Sequence, residues 1–309
     1  MKTGHNPESP RAGAMLYVKL VLTAVFWGGT FVAGRSVASE AGPYSAAFLR
    51  FVVASVFLLA FVLRSHGKIP IIGAKDFFPL LVLGLTGVFA YNVLFFSGLK
   101  MITASRASLI VATNPAFIAL FAALIFRERL DLTKTAGIIL SVGGAVFVVS
   151  GGDPEAILRG GGVGLGELCI LGCVASWVAY SLIGKSVMKQ LSPLIAVTYS
   201  CVIGAVCLFV PAYLEGLAPG IRHYTSTVWL GVSYLGFFGS ALGFIWYYEG
   251  IKTIGPSRAG VFINIVPISA VLLAHLILKE TLDLSLIAGA AVITAGVYIT
   301  NRPSRARGA

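Results

Sequence analysis

Ten apolar runs of roughly 20 residues each fill this chain from about residue 16 to residue 300, with short connectors between them. An α-helix of about 20 residues crosses the hydrocarbon core of a bilayer and satisfies its own backbone hydrogen bonds there. Charged residues make up 11% of the chain, whereas a soluble domain carries about a quarter. The sequence therefore predicts an all-α polytopic membrane protein with ten transmembrane helices. The predicted spans are Leu16–Ser36, Ser45–Leu63, Phe77–Gly98, Ser105–Phe126, Thr135–Ser150, Leu165–Lys185, Pro193–Tyr213, Thr227–Ile251, Arg258–Leu278 and Leu284–Thr300.

The connectors are too short to hold a second domain, so a soluble catalytic module is excluded. A glycine-rich stretch at residues 151–164 lies near the middle of the chain and divides it in two. We expect a tail at 1–14, a first repeat at 15–150, a periplasmic linker at 151–164, a second repeat at 165–300 and a tail at 301–309. Histidines, cysteines and carboxylates form no catalytic or metal-ligand cluster, so we predict neither an enzyme nor a cofactor.

Basic residues are distributed unevenly between the two ends of the spans. When the connectors are assigned alternately to two sides, sixteen of the 23 Lys and Arg residues fall with both termini and six fall opposite. Because basic residues collect on the cytoplasmic side, we predict that both termini are cytoplasmic. The basic residues lie almost wholly in short connectors between apolar runs and do not cluster on one soluble face. We therefore do not expect nucleic acid as a partner. The expected partners are the lipid bilayer and a small-molecule substrate, and the oligomeric state stays open, a monomer included.

The two halves are related by an internal repeat. Five residues that begin with Trp27 recur 150 positions later, beginning with Trp177, and fourteen residues between Gly84 and Gly144 recur at an offset of 152. Each repeat has five spans, an odd number, so the second must cross the membrane inverted relative to the first. Inverted repeats form similar gates on both sides of a midplane site, which is the architecture of alternating-access transporters.

Several segments resemble the EamA-type exporters of the drug/metabolite transporter superfamily, whose chains hold two five-helix repeats. The matching segments are AVFWGGTF at Ala24–Phe31, FLRF at Phe48–Phe51, GLKMITASRASLIVATNPAF at Gly98–Phe117, FRERLDLTKTAG at Phe126–Gly137 and LSVGGAV at Leu140–Val146. The second half adds GIKTIGPSRAG, NIVPI and LKETLDL. The resemblance covers nearly the whole chain and implies an inner-membrane exporter of small metabolites, amino acids among them.

The resemblance also implies a central cavity, and the deeper aromatic and amide side chains lie on the spans that would surround it. We predict that these side chains form the substrate site together with one arginine and two prolines. The predicted site residues are Trp27, Arg50, Tyr91, Asn92, Asn114, Pro115, Trp177, Tyr180, Trp246, Asn264 and Pro267. Trp229, by contrast, is expected at the membrane interface.

Arg50 is the most deeply placed charge, about six residues inside the second span. An unpaired cation at the bilayer centre costs several kcal/mol, so Arg50 must have partners. Either it binds a substrate carboxylate, or it is a structural arginine that bonds carbonyl groups or extends to the interface. Its counterpart in the second repeat is Ser200, so a charge role would be confined to one half.

Pro115 and Pro267 fall within equivalent spans, and each lacks the amide that would bond the carbonyl four residues earlier, at Val111 and Ile263. A carbonyl freed in this way needs a partner inside a bilayer. Either neighbouring side chains satisfy it and the proline is a structural kink, or it lines a wet cavity and helps to bind substrate.

Four carboxylates follow the fourth and ninth spans at equivalent positions, Glu128 with Asp131 and Glu280 with Asp283. We interpret them as caps of the helix that comes next, because acidic groups stabilise a helix N-terminus. A gate built from charge pairs is the alternative.

Proton coupling requires a carboxylate within the membrane, and none is evident. Glu249 is the nearest, close to the cytoplasmic end of the eighth span, where Lys252 at i+3 is expected to pair with it. Small residues on spans five and ten, among them Gly137 and Gly296, predict close helix packing without chemistry.

Together these features predict an alternating-access exporter of small amphipathic metabolites, with amino acids, aromatic ones included, or related compounds as substrates. A broad-specificity drug exporter and an importer with the same fold stay as alternatives. No residue identifies the direction of transport or its energy source.

Overall fold

The computed structural model describes residues 10–126, 132–155 and 163–300, with side chains from residue 14 onward. Over these ranges the backbone forms helices and the turns between them, without strands. Nine helices are long and apolar enough to cross a membrane, and a tenth has 17 residues. The helices are α1 Pro10–Ala38, α2 Pro43–His66, α3 Ala74–Met101, α4 Ala104–Val111 continued by Asn114–Phe126, α5 Leu132–Val149, α6 Leu165–Val187, α7 Pro193–Glu215, α8 Ser226–Ile254, α9 Pro256–Leu278 and α10 Leu284–Thr300. Each predicted span coincides with one of them to within a few residues, which confirms the all-α polytopic fold.

The helix ends follow the local sequence. Pro43 and Pro193, at equivalent positions of the two repeats, each stand in the first turn of a helix, where the missing N–H has no intrahelical partner. Gly67 and Gly216 terminate the same two helices in the left-handed conformation, with φ of 69° and 102°.

The two repeats interlock. Helix α1 packs against α8 and α9, and its counterpart α6 packs in the same way against α3 and α4. Helix α2 packs against α7, and α5 packs against α10. These pairs join one repeat to the other, so a site at the centre of the molecule is built from both.

Helices α3 and α8 each contain a π-helical segment, at Gly84–Ala90 and Leu235–Leu242. The two segments lie at equivalent positions of the repeats. A π segment shifts the hydrogen-bonding register of a helix and is frequent at functional sites. Gly87 lies against the ring of Tyr180, where an added Cβ would come within 2.2 Å, so the segment needs a glycine at this contact.

Helices α4 and α9 are interrupted near their middles. In α4 the break lies after Val111 and directly before Asn114 and Pro115. In α9 the chain passes through a 3₁₀ turn at Val261–Asn264, three residues ahead of Pro267. Both interruptions therefore precede the prolines, which cannot donate to the turn before them.

Helices α5 and α10 pack closely through glycine, as the sequence predicts. A Cβ added at Gly137 would lie 2.4 Å from the backbone nitrogen of Thr300, and one at Gly296 would lie 2.4 Å from that of Ser141. This pair adjoins a small apolar cluster of its own, separate from the main core.

Candidate substrate-binding site

A small cavity lies between the repeats, where α1, α2, α3, α4, α6, α8 and α9 meet. Its volume is about 30 Å³, a fifth of the roughly 150 Å³ of an apolar protein cavity that binds benzene. The lining residues are Trp27, Thr30, Phe31, Arg50, Tyr91, Val111, Asn114, Trp177, Phe244, Ile263 and Val266. In this conformation the cavity is too small for a metabolite, so the surrounding helices must separate to admit one.

Five of the eleven residues that line the cavity are aromatic. The rings of Trp27 and Trp177, equivalent residues of the two repeats, meet edge to face with centroids 5.1 Å apart. Tyr91 and Phe244 lie 5.4 and 5.3 Å from the ring of Trp177. The indole nitrogen of Trp27 donates to the carbonyl of Gly239 at 2.9 Å, which fixes the ring against the π segment of α8. The aromatic part of the wall is therefore contributed by both halves.

Arg50 is 3% exposed and is held by neutral groups from both repeats. Its Nε donates to the hydroxyl of Ser240 at 2.8 Å, and its Nη1 donates to the side-chain oxygen of Asn92 at 2.8 Å. Ser240 lies within the π segment of α8, and Asn92 follows that of α3 by two residues. The π segments thus position the groups that orient the guanidinium.

The charge of Arg50 is not neutralised by the described part of the protein, where no carboxylate lies within ion-pair distance of it. The two hydrogen bonds use two of the five N–H donors of a guanidinium. The guanidinium carbon also lies 5.4 Å from the ring centroid of Phe51, a favourable cation–π distance. The cavity therefore contains a fixed, desolvated cation that can bind an anionic group.

Asn114 supplies a second polar group to the cavity. The residue is 1% exposed, and its side-chain oxygen has no hydrogen-bond partner among the described residues. The side-chain oxygen of Asn264, at the break in α9, is also buried without a partner in that part of the chain.

Of the predicted site residues, Trp27, Arg50, Tyr91, Asn114 and Trp177 line this one cavity. Two others stand directly behind the lining. Asn92 bonds Arg50, and Tyr180 packs against Trp177 with ring centroids 5.2 Å apart.

The four remaining predicted residues do not line the cavity. Pro115, Asn264 and Pro267 lie at the helix breaks beside it. Trp246 packs against Phe26 at a centroid distance of 6.0 Å.

Sequence reasoning missed Thr30, Phe31, Phe244 and Ser240 as parts of the site. Thr30 and Phe31 belong to the segment AVFWGGTF, which includes Trp27 and was a signal for them. Phe244 and Ser240 had no such signal, because their position depends on how the two repeats meet.

Carboxylates cap helix N-termini across the repeats on one face of the molecule, which holds the connectors after α1, α3, α5, α7 and α9. The charge asymmetry predicts that this face is outside, and it is called the outer face below. Glu40 after α1 accepts from the amide and hydroxyl of Thr225 before α8, at 3.2 and 2.9 Å. Glu215 at the end of α7 accepts from the amides of Tyr44 and Ser45 in α2, at 3.2 and 2.7 Å.

Glu280 completes this set and corrects one expectation. It accepts from the amides of Ala104 and Ser105 at 2.8 and 3.0 Å and from the hydroxyl of Ser105 at 2.6 Å. It therefore caps α4 of the other repeat and not α10, the helix that follows it. Its counterpart Glu128, with Asp131, lies outside the described residues.

Asp283 caps the next helix, as predicted. Its carboxylate accepts from the amide of Leu286 at 2.7 Å and from the hydroxyl of Ser285 at 2.7 Å. The hydrogen bond from the Leu286 amide, followed by that from Ser285, lowers the pKa of Asp283 below its ordinary value.

Two ion pairs also join the repeats. Arg106 of α4 pairs with Glu167 of α6 at 3.0 Å on the outer face. On the opposite face Glu249 pairs with Lys19 of α1 at 2.8 Å. The expectation that Glu249 pairs with Lys252 is therefore wrong, because the packing of α1 against α8 brings Lys19 closer.

A small cavity with a buried cation and aromatic side chains, set between two inverted repeats of five helices, is typical of membrane transporters. The chain belongs to the EamA-like transporter family, which matches residues 14–150 and again residues 164–302, once in each repeat.

Two relatives that are named as a transporter and an exporter match nearly the whole of this chain. YyaM of Bacillus subtilis strain 168, named an uncharacterized transporter, is 29% identical over 282 residues, 91% of this chain and 92% of its own. A protein of Streptantibioticus cattleyicolor, named a probable terminal-alkyne amino-acid exporter, is 28% identical over 291 residues, 93% and 94% of the two chains. A crystal structure with 22% identity covers 91% of this chain and 96% of that one, with a TM-score of 0.64, which supports the fold.

Proposed function

We propose that this transporter exports small amphipathic metabolites with a carboxylate group, amino acids above all, by alternating access. The observation that carries the proposal is Arg50, a buried cation that lines the central cavity and is held by two neutral side chains. A guanidinium binds a carboxylate through paired N–H donors, and this interaction is strong where water is excluded.

The aromatic wall accounts for the amphipathic part of the substrate. Rings at 5.1–5.4 Å from one another present flat apolar faces on which an aliphatic or aromatic side chain can pack. The relative from Streptantibioticus, named as an amino-acid exporter, is consistent with this substrate class.

Alternating access is supported by contacts that join the two repeats on both faces of the molecule. Inter-repeat contacts join the outer face through Glu40, Glu215 and Glu280, and Lys19 and Glu249 join the opposite face. Opening to either side requires one set of contacts to break while the cavity widens. We place the chain in the bacterial plasma membrane with both termini in the cytoplasm.

The test is counterflow in proteoliposomes with a panel of labelled amino acids, dicarboxylates and lipophilic cations. Arg50→Met should abolish counterflow of carboxylate substrates, Arg50→Lys should retain part of it, and Arg222→Met, at an exposed position on the outer face, should leave it unchanged.

The result also separates the alternatives. Counterflow of lipophilic cations that is indifferent to Arg50→Met would favour a broad-specificity drug exporter. Full amino-acid counterflow by folded Arg50→Met would refute the carboxylate assignment.

A further inference from the structure

Asn114 begins the second half of α4, where an asparagine ordinarily serves as a helix cap. A capping side chain would accept from the amides of Ala116 or Phe117. Both amides instead donate to the carbonyl of Thr113, at 3.0 and 3.2 Å. The Asn114 side chain therefore has no capping role, although its oxygen is buried and lacks a partner among the described residues.

Two interrupted helices end beside the same cavity. The first half of α4 runs from the outer face to Val111, and the first part of α9 runs from the opposite face to Asn264. Val111 ends the first of these segments, and Ile263 is the last residue but one of the second. Each precedes a proline by four residues, and both line the cavity. Helix C-termini carry partial negative charge on their carbonyl groups.

These features give the cavity a second pole, of opposite sign to Arg50. An amide oxygen without a partner and two helix C-terminal ends all favour a positively charged ligand. A buried acceptor without a donor is destabilising by itself, so it marks a position where a ligand can supply the missing hydrogen bond.

We propose that Asn114 and the carbonyl ends at Val111 and Ile263 form a binding site for a monovalent cationic group, adjoining the carboxylate site at Arg50. This inference rests on the proposed function, in which Arg50 binds a carboxylate. With both sites present, the substrate is a zwitterion, or a carboxylate that binds together with a monovalent metal ion. The α-ammonium and the carboxylate of an amino acid are attached to one carbon, so the groups that bind them must lie in one small cavity. Arg50 and Asn114 line the same cavity.

The test uses three ligands that share one aromatic ring. Phenylalanine carries both charges, 3-phenylpropionate carries the carboxylate alone and 2-phenylethylamine carries the ammonium alone. Binding to the purified full-length protein is measured by isothermal titration calorimetry. The variants are Asn114→Leu, which keeps the volume and removes the acceptor, Arg50→Met, and Thr113→Val as a control at the same helix break.

Asn114→Leu should weaken phenylalanine and phenylethylamine by about tenfold or more, because a hydrogen bond to a charged group is lost, and should spare phenylpropionate. Arg50→Met should weaken phenylalanine and phenylpropionate and spare phenylethylamine. Thr113→Val should preserve binding of all three, since the Thr113 hydroxyl bonds the carbonyl of Ile110 and does not line the cavity.

Binding measured with and without sodium distinguishes the two possible cationic ligands, a metal ion and the substrate ammonium. If phenylpropionate binds more tightly in sodium chloride than in choline chloride, and Asn114→Leu removes the difference, the cationic ligand is a metal ion. If binding is indifferent to sodium and Asn114→Leu affects the ammonium ligands, the cationic ligand is the substrate ammonium.

The inference is overturned if the unmodified protein fails to bind phenylethylamine and shows no sodium effect, or if Asn114→Leu weakens all three ligands equally. Loss of the Arg50 dependence, with the Asn114 dependence intact, would instead count against the proposed function alone.

Discussion

Glu280 offers a quantitative test of how helix α4 is joined to the other repeat. Its carboxylate accepts three hydrogen bonds from the first turn of α4, two from amides and one from a hydroxyl. Glu280→Gln keeps the length of the side chain but replaces one acceptor oxygen with an NH₂ group, which then faces an N–H donor. The substitution also removes the negative charge beside a helix N-terminus.

The expected cost follows from these two losses. A helix cap contributes about 0.5–2 kcal/mol, and a charge at a helix N-terminus contributes about 0.3–1 kcal/mol. We therefore expect Glu280→Gln to lower the free energy of unfolding by about 1–3 kcal/mol. A destabilisation of this size should lower Tm in detergent by about 2–5 °C.

The assay is thermal unfolding of purified variants together with substrate affinity by calorimetry. Stability should fall more than affinity, because Glu280 is not among the residues that line the central cavity. Ser105→Ala is the matched control, since it removes one of the three bonds and keeps the two amide bonds, and its Tm should fall by less. A well-folded Glu280→Gln protein with unchanged Tm and abolished transport would refute the capping role and favour a charge-paired gate.

Three further predictions concern other parts of the molecule. Trp177→Ala should weaken substrate affinity by about tenfold in a binding assay, whereas Trp229→Ala should not, because Trp177 lines the cavity and Trp229 is a partly exposed residue outside it. The pKa of Asp283 is lowered on folding, so its carboxylate stabilises the protein fully above its unfolded pKa of about 3.9, and this stabilisation is lost as the pH falls through the lower folded value. Asp283→Asn should therefore reduce the fall of Tm with pH on the acid side of a Tm-versus-pH curve. In a background without the native cysteines, Gly220→Cys should react with an impermeant thiol reagent from outside intact cells and Gly67→Cys should not, and the reverse pattern would contradict the proposed topology.

The helices could be predicted from the sequence because the bilayer imposes a length and an apolar composition on each span. Breaks in α4 and α9 were also foreseeable, since Pro115 and Pro267 have no amide to donate. The glycines that recur between the repeats lie within the π segments, but they did not predict them. The hydrogen-bonding register of a π segment depends on tertiary contacts, such as that of Gly87 with Tyr180.

Partners across the repeats were the least predictable part of the site. Lys252 was the expected partner of Glu249 because i and i+3 residues are neighbours on one helix, yet Lys19 of another helix takes that position. Glu280 likewise bonds Ser105, 175 residues away in the sequence, and not its own following helix. Local periodicity carries no information on such contacts, which arise when the two repeats interlock.

Some features occur in both repeats, whereas the polar side chains of the cavity occur in only one. The two arrangements have different physical reasons. The proposed alternating access calls for similar structures on both faces, and the two repeats have paired π segments, helix breaks and tryptophans. A second arginine at the counterpart of Arg50 would place two like charges in one water-excluded core, where repulsion is strong, and that position is Ser200. Asn114 is likewise matched by Val266, which lines the same cavity without an acceptor. In the proposed site, one cationic and one acceptor side chain, both from the first repeat, thus give a nearly symmetric cavity a single direction along which a dipolar substrate would bind.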